Sequence, residues 1–248
     1  LEARLYCVVY FVRILCVYVV CTYGEIATTS TLRYEVIMPL FVDSIARNLK
    51  RPETGLVGSF ILRLLKKVNR SLEEKAVEHA EIEPHHHVLE VGFGPGLGLK
   101  RAAQCVKKGE GMVHGIDFSP AMMTAAMDHL EQEIADDIVE LTLGNAVHLP
   151  YRDNSMDRIF HTNCYYFWPD VTAVTKELFR VLKPGGQMMT LLNLERVKAS
   201  HDTGYLKYGN YDPDGYMDAL RTVGFECDGM KSLKDGEAPY ELIPARKS

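Results

Sequence analysis

The residues able to do chemistry fall in four short stretches of this sequence. The first reads Glu90-Val91-Gly92-Phe93-Gly94-Pro95-Gly96-Leu97-Gly98, alternate glycines at the end of an apolar run. Glycines between a strand and a helix let the backbone turn sharply and approach a ligand closely. Their spacing excludes a dinucleotide loop, which requires G-x-G-x-x-G. In the available frames the last glycine would fall at Leu97, Leu99 or Arg101. A phosphate cradle is disfavoured too, because Pro95 has no N–H and no Gly-Lys-Ser/Thr follows. Glu90 stands just before the loop. It is either a solvated charge at a strand end or a carboxylate that repels pyrophosphate and attracts a cation.

The second stretch ends in Asp117 (Val113-His114-Gly115-Ile116-Asp117-Phe118-Ser119). A carboxylate at the end of a second strand accepts hydrogen bonds from both ribose hydroxyls. Nicotinamide enzymes use the same device, so Asp117 reports a ribose rather than a particular nucleoside. Ser119-Pro120 already supplies a helix cap, which releases Asp117 from that duty. Phe118 and Met122 either pack against an adenine or belong to the core. The third stretch is Leu143-Gly144-Asn145-Ala146, in which Asn145 offers a donor and an acceptor to an adenine edge and is equally at home in a turn. The fourth, His161 to Asp170, is rich in aromatic residues that could line a mouth, favour a sulfonium and exclude water, or simply fill the core. S-adenosylmethionine (SAM) has a ribose, an ammonium and a sulfonium, and no phosphate.

Chemistry at the carbon of a sulfonium demands positioning and dehydration more than acid–base work. An oxygen or carbon nucleophile can add the need for a base. His161, His148 and Tyr165 are the candidates, each also readable as structural, so no catalytic residue is assigned. His85-His86-His87 suggests a metal, but neighbours on a strand point to opposite faces. No metal site is expected there. Cys7, Cys16, Cys21, Cys105, Cys164 and Cys227 form no C-x-x-C pair and no zinc spacing, as expected of reduced thiols in a cytoplasmic protein.

The elements that must position these groups alternate. Residues 35–83 read as helical, with one helix near 57–68 and a second opened by a capping box at Ser71 and Glu74. Then come a strand at Val88–Val91, a helix at Leu97–Val106, a strand at Met112–Ile116 and a helix from Pro120 to about Gln132. Strands follow at Ile138–Leu143 and Asp157–His161, then a helix at Val171–Leu182 and a strand at Gln187–Leu194. A helix at Pro213–Val223 ends at Gly224, and strands are expected near Phe225–Met230 and Tyr240–Ile243. This is the pattern of an α/β fold with a parallel sheet, whose ligands sit at the carboxyl ends of the strands.

Composition sets wider bounds. The chain has 248 residues, 47% hydrophobic and 25% charged, ordinary globular usage. With 28 basic and 33 acidic residues the formal charge is −5, and no nucleic-acid partner is expected. Residues 5–21 are almost wholly apolar, with Arg13 in the middle. The run is short for a membrane span and lacks a signal cleavage pattern. It reads as an anchor, a buried element or sequence foreign to the domain, and membrane association is expected only if it is a genuine anchor. Three segments follow: 1–34, apolar and of doubtful status; 35–84, a helical extension; and 85–248, the ligand-binding domain.

Four segments taken in order resemble the class I SAM-dependent methyltransferases, in the branch that includes ubiquinone and menaquinone C-methyltransferases. They are VLEVGFGPG, GIDFSPAMMTAA, LGNAVHLPYRDNSMDRIF and ELFRVLKPGG. Asn145 stands where that family usually has aspartate. The resemblance implies a Rossmann-like, seven-stranded, mostly parallel sheet with its last strand antiparallel, helices on both faces and an N-terminal helical extension. It implies SAM as methyl donor, with Glu90 contacting the methionine ammonium indirectly or through water. Gly92, Phe93, Gly94 and Gly96 would line the methionine and ribose, Asp117 would hold the ribose, and Phe118 and Met122 would lie beside the adenine. Asn145 and Ala146 would meet the adenine, and Asn163 would sit near the methionine end. The function implied is methyl transfer to a small-molecule or lipid-like acceptor by in-line displacement. A SAM-binding protein without turnover is the alternative, and a nicotinamide oxidoreductase is disfavoured by the glycine spacing. Residues 35–70, Asn163–Trp168 and a loop at 195–214 bearing Tyr205, Tyr208 and Tyr211 are expected around the acceptor.

Overall fold

The computed structural model describes residues 42–52, 56–236 and 238–248, and from Val42 onward the chain forms one compact unit. A helix covering 42–50 (α1) is followed by Leu56–His79 (α2). Strands and helices then alternate: β1 His87–Val91, α3 Leu97–Val106, β2 Met112–Asp117, α4 Pro120–His129, α5 Glu131–Ala135, β3 Val139–Leu143, β4 Met156–Thr162, α6 Val171–Val181 and β5 Leu182–Leu192. The chain finishes with α7 Leu194–Asp202, α8 Pro213–Val223, β6 Lys231–Asp235 and β7 Ala238–Arg246.

The sheet order is β3-β2-β1-β4-β5-β7-β6. Every pairing from β3 to β5 is parallel, and β7 runs antiparallel to both β5 and β6. The order reverses between β1 and β4, and the crevice above such a point is where open α/β sheets bind ligands. The central strands are buried on both faces, which is why they read as apolar runs. Alternation sorts their side chains. Val88, Phe160 and Leu191 join Leu72, Ala76, Val77 and Leu99 under α2 and α3. Leu89, Ile159 and Leu192 join Val174, Leu178, Tyr216 and Leu220 under α6 and α8. Burying each such side chain contributes roughly 1.5–3 kcal/mol.

The caps read from the sequence are in place. Ser119 Oγ accepts from Met122 N with Pro120 in the first turn, and the Asp212 side chain accepts from Gly215 N. Gly224, at φ 109, closes α8 in the left-handed region open to glycine.

The structure corrects the sequence reading at several points. Instead of two helices there is one, α2, running through Ser71, whose hydroxyl bonds Asp235 of β6 rather than forming a capping box. The buried face Leu72, Ala76, Val77, Ala80 holds the helix continuous, and the chain turns out only at Glu81, with φ 48. Residues 195–202, expected as loop, and Leu194, expected as the end of a strand, form α7, capped by Asn193, whose side chain accepts from Arg196 N. Phe225–Met230 contributes one bridge, Glu226 to Arg246, and the strand is Lys231–Asp235. That strand lies at the sheet edge, largely exposed and lysine-bearing, so it carries no apolar signal. Residues 1–34, with the apolar run 5–21, lie outside the described residues. Among the described residues no helix is long and apolar enough to cross a membrane.

Candidate functional site

The glycine loop leaves β1 at the point where the strand order reverses. Its anchor is Asp117, at the end of β2. Asp117 Oδ2 accepts the Gly94 N–H at 2.9 Å and Oδ1 accepts the Ser119 N–H at 2.8 Å. Burial pushes this carboxyl up to about 6, and the same backbone N–H groups hold it from rising further. Each oxygen keeps a further lone pair for a hydroxyl donor. Gly94 has φ 53, and a Cβ built there would meet no atom within 4 Å. The loop therefore presents bare backbone to open space at that residue. Gly92 donates to Ile116 O, while Gly96, at φ 81, stands at the start of α3.

Glu90 is not the solvated strand-end charge that was one reading of it. It is 1% exposed, and neither carboxylate oxygen has a hydrogen-bond donor. Its carboxyl lies against Gly98, where a Cβ would come within 2.6 Å of Oε1. Across from it is Glu73 of α2, also buried. Glu73 Oε1 takes the Thr162 hydroxyl, and Oε2 has no donor. Burial pushes both carboxyls up, Glu73 to about 7, and the charge of Glu73 lifts Glu90 further. The two carboxyls stand within hydrogen-bonding reach of each other. Among the described residues none of Glu73, Glu90 and Asp117 forms an ion pair.

The remaining expected residues divide. Phe118 is 37% exposed beside the loop, with the Arg51 guanidinium 5.8 Å from its ring centroid. Met122 is buried. The Phe93 side chain is in the core between β2 and α3, so only its backbone is available to a ligand. Ala146 is buried, and Asn145 is exposed with Oδ1 accepting from Val147 N at 3.2 Å, a turn that leaves its amide donor outward. Asn163, with φ 47, ties the end of β4 to its neighbours: Oδ1 accepts from Asn193 N and Nδ2 donates to Asn69 Oδ1, both at 3.3 Å. Cys164 donates to Val91 O, and burial pushes its thiol well up, so it stays neutral.

The base candidates fare poorly. His161 is on the opposite face of β4, fully buried. Its Nε2 lies 2.9 Å from both Thr190 Oγ1 and Tyr216 Oη, which are 2.8 Å apart. Burial lowers it from 6.5 to about 3. Tyr165 stacks on Tyr216 with 4.4 Å between centroids, and burial raises its phenol. His148 is exposed. Strand alternation does not separate the whole histidine triplet, because β1 begins at His87. His85 and His86 lie in the preceding turn, where ligand atoms of Glu83, His85 and His86 fall within 4.8 Å of one another. His86 Nδ1 is already taken by the Glu83 N–H.

The segments expected around the acceptor do meet. Asp43 of α1 takes the Lys207 ammonium at 2.6 Å and the Tyr208 hydroxyl at 2.7 Å. Asn210 N donates to Tyr166 O at 2.7 Å, and Arg196 Nη1 to Val68 O at 3.2 Å. Glu73 was missed by the sequence reading, although a signal existed. With Ala76, Val77 and Ala80 it occupies i, i+3, i+4 and i+7 of one helix face, the pattern of a buried stripe.

These residues fit SAM. Buried carboxyls with unpartnered oxygens ask for a cation, Asp117 retains acceptor capacity, and Gly94 leaves room above the loop. Comparison with known proteins agrees. The methyltransferase domain profile matches residues 89–190. The chain is 35% identical over 124 residues to methyltransferase GfsG of Streptomyces halstedii, covering 50% of this chain and 44% of that protein. It is 29% identical over 143 residues to a demethylmenaquinone methyltransferase of Desulfitobacterium hafniense, covering 58% and 56%. It is 30% identical over 133 residues to the uncharacterized methyltransferase YdaC of Bacillus subtilis, covering 53% and 70%. The aligned region spans about half the length of the first two. A SAM-dependent methyltransferase structure from Aquifex aeolicus superposes with TM-score 0.60 at 22% identity, covering 74% of this chain and 95% of that one. Sheet order, loop geometry and relatives converge: the chain belongs to the class I SAM-dependent methyltransferases.

Proposed function

We propose that this protein transfers a methyl group from SAM to a small-molecule or lipid-like acceptor by in-line displacement. The observation that carries the reading is Asp117 clamped to the Gly94 N–H beside a buried carboxyl cluster that has no counter-cation among the described residues. Bound SAM supplies an electrophilic methyl on a cationic sulfur. The chain's part is to bind and align. Asp117 accepts the ribose hydroxyls, and Phe118 and Met122 flank the adenine. Glu90 faces the methionine end, and the backbone at Gly92, Gly94 and Gly96 permits close approach. Tyr166, whose carbonyl takes the Asn210 N–H, and Phe167 against its ring keep water from the reacting centre. His161 is spent in its own hydrogen bonds, so no side chain is assigned as base.

The acceptor class rests on the relatives, which include demethylmenaquinone methyltransferases and a 24-methylenesterol C-methyltransferase. A cytoplasmic location, with no nucleic-acid partner, belongs to the same reading. SAM binding without turnover is the second reading, favoured by Asn145, whose acceptor oxygen is turned to Val147 N–H. Calorimetric titration with SAM and with NAD should give heat with SAM alone, and binding of NAD instead would overturn the proposal. Transfer of a labelled methyl from SAM into a cell-extract metabolite should follow. Tight SAM binding with no transfer to any extract would select the second reading.

A further inference from the structure

The carboxyls of Glu73 and Glu90 are an expensive arrangement if their only work is structural. Two acids from different elements, α2 and β1, are buried face to face. Three of their four oxygens lack a donor, and the fourth has only a threonine hydroxyl. A buried polar group without a partner costs stability, and well-packed apolar residues would serve a core better. The surroundings offer Glu90 one relief, the Leu99 N–H of α3, which lowers it against the larger effect of burial. Asp117 on β2 adds negative charge, Cys164 after β4 is held neutral by burial, and Thr162 on β4 brings a hydroxyl. On α3 the neighbour is Gly98, whose missing side chain makes the room Glu90 occupies. Three basic side chains of α2 have partners elsewhere. Lys66 and Arg70 act on His129 of α4, and Lys75 pairs with Glu78.

We infer that Glu73 is a second carboxyl of the donor site: with Glu90 it forms the seat of the methionine ammonium, and the seat gives up one shared proton when the ammonium docks. This rests on the SAM reading above and extends it to a residue outside the glycine-loop motif. The balance is simple. In the free protein one proton bridges two carboxyls. In the complex the ammonium's own N–H groups replace it as donors to two carboxylates, and the displaced proton passes to buffer. The side-chain torsions of Glu73 let the carboxyls part to admit the larger group. The raised titration of both acids keeps that proton in place near neutrality.

Calorimetry of SAM binding to the full chain tests this, run from about pH 6 to about pH 7.5 in phosphate and in imidazole. The difference in observed heat between buffers counts protons. Release of close to one proton is expected at the acid end, declining as pH rises. SAM affinity should climb by up to about tenfold per pH unit, with Asp117 adding slope only near its own titration at about 6. Glu73→Gln keeps size and polarity without a titrating carboxyl. It should cut the proton count by at least half and flatten the pH profile, while Glu73→Asp keeps the release. SAM binding without proton release, or an unchanged count in folded Glu73→Gln, overturns the inference and leaves the donor reading standing. A folded protein that binds no SAM at any pH overturns both.

Discussion

Replacing His161 by Gln should change the pH dependence of stability by a calculable amount. The imidazole is fully buried, its Nε2 is shared with Thr190 and Tyr216, and its Nδ1 has no partner. The only cause acting on it is burial, which takes it from 6.5 to about 3. A group whose folded value lies below its unfolded value contributes stability that is full above the unfolded value and is lost as pH falls. At 1.36 kcal/mol per unit the whole difference is about 5 kcal/mol, spread over the interval from about 6.5 down to about 3. Glutamine does not titrate. The wild-type advantage over His161→Gln should therefore shrink with a slope that approaches about 1.4 kcal/mol per pH unit below the unfolded value, or by about 2 kcal/mol between pH 6.5 and pH 4.5. Urea unfolding at each pH, analysed as two-state, gives both curves. The chain's one tryptophan, Trp168, lies 5.0 Å from the His161 ring and reports the transition by fluorescence. A gap between the two proteins that stays constant over this range would refute the burial argument. It would also reopen His161 as a base, since a group held near 3 makes a poor one at neutral pH.

Other consequences are simpler to state. Asp117→Ala should weaken SAM binding roughly ten- to a hundredfold, the equivalent of about 1.5–3 kcal/mol for hydrogen bonds to a charged group; unchanged affinity would remove the ribose assignment. Gly94→Val puts a side chain into space where no protein atom lies within 4 Å, but at φ 53, a conformation that strains a β-branched residue. It should cost about 1–3 kcal/mol in urea unfolding while circular dichroism still reports the fold, and it should abolish SAM binding; normal binding would place the donor elsewhere. Leu178→Ala, at a fully buried position of α6, should cost about 2–5 kcal/mol in urea unfolding, and a loss under about 1 kcal/mol would mean that the helix packs loosely.

What could be read from sequence was whatever local chemistry dictates. Ser119-Pro120, Asp212-Pro213 and Gly224 are caps and stops whose geometry depends on their own neighbours, and all three stand as expected. The glycine loop and Asp117 are legible for the same reason, since the motif and the clamp both come from the ends of consecutive strands. Failures came where tertiary contacts overrule local signals. Ser71 and Glu74 spell a capping box, yet the apolar stripe from Leu72 to Ala80 packs on the sheet and carries α2 straight through. The edge strand Lys231–Asp235 takes its strand identity from pairing with β7, not from its side chains. Glu73 was passed over because charge suggests solvent, and its partner Glu90 lies seventeen residues along the chain on another element.

Strand alternation around β1 and β4 gives the two faces of this site opposite responses to pH. Glu90 and Thr162 point toward α2 and meet Glu73, whereas His161, one residue from Thr162, points toward α8. On the first face the carboxyls have raised values, so their contribution to stability is present at low pH and lost as pH rises through about 6 for Asp117 and about 7 for Glu73. On the second face His161 contributes at high pH and loses its contribution as pH falls below 6.5. The free protein should accordingly be most stable in mildly acidic solution and weaken toward pH 8. A bound cation changes only the first face, because it meets the charges that burial penalises there and has nothing to offer a buried neutral imidazole. Stabilisation by SAM should thus be greatest on the alkaline side, where the acid cluster is ionised and otherwise uncompensated. Thermal melting with and without SAM at about pH 6 and about pH 8 separates the two faces. A larger SAM-induced shift at the lower pH would contradict a site whose affinity comes from buried negative charge.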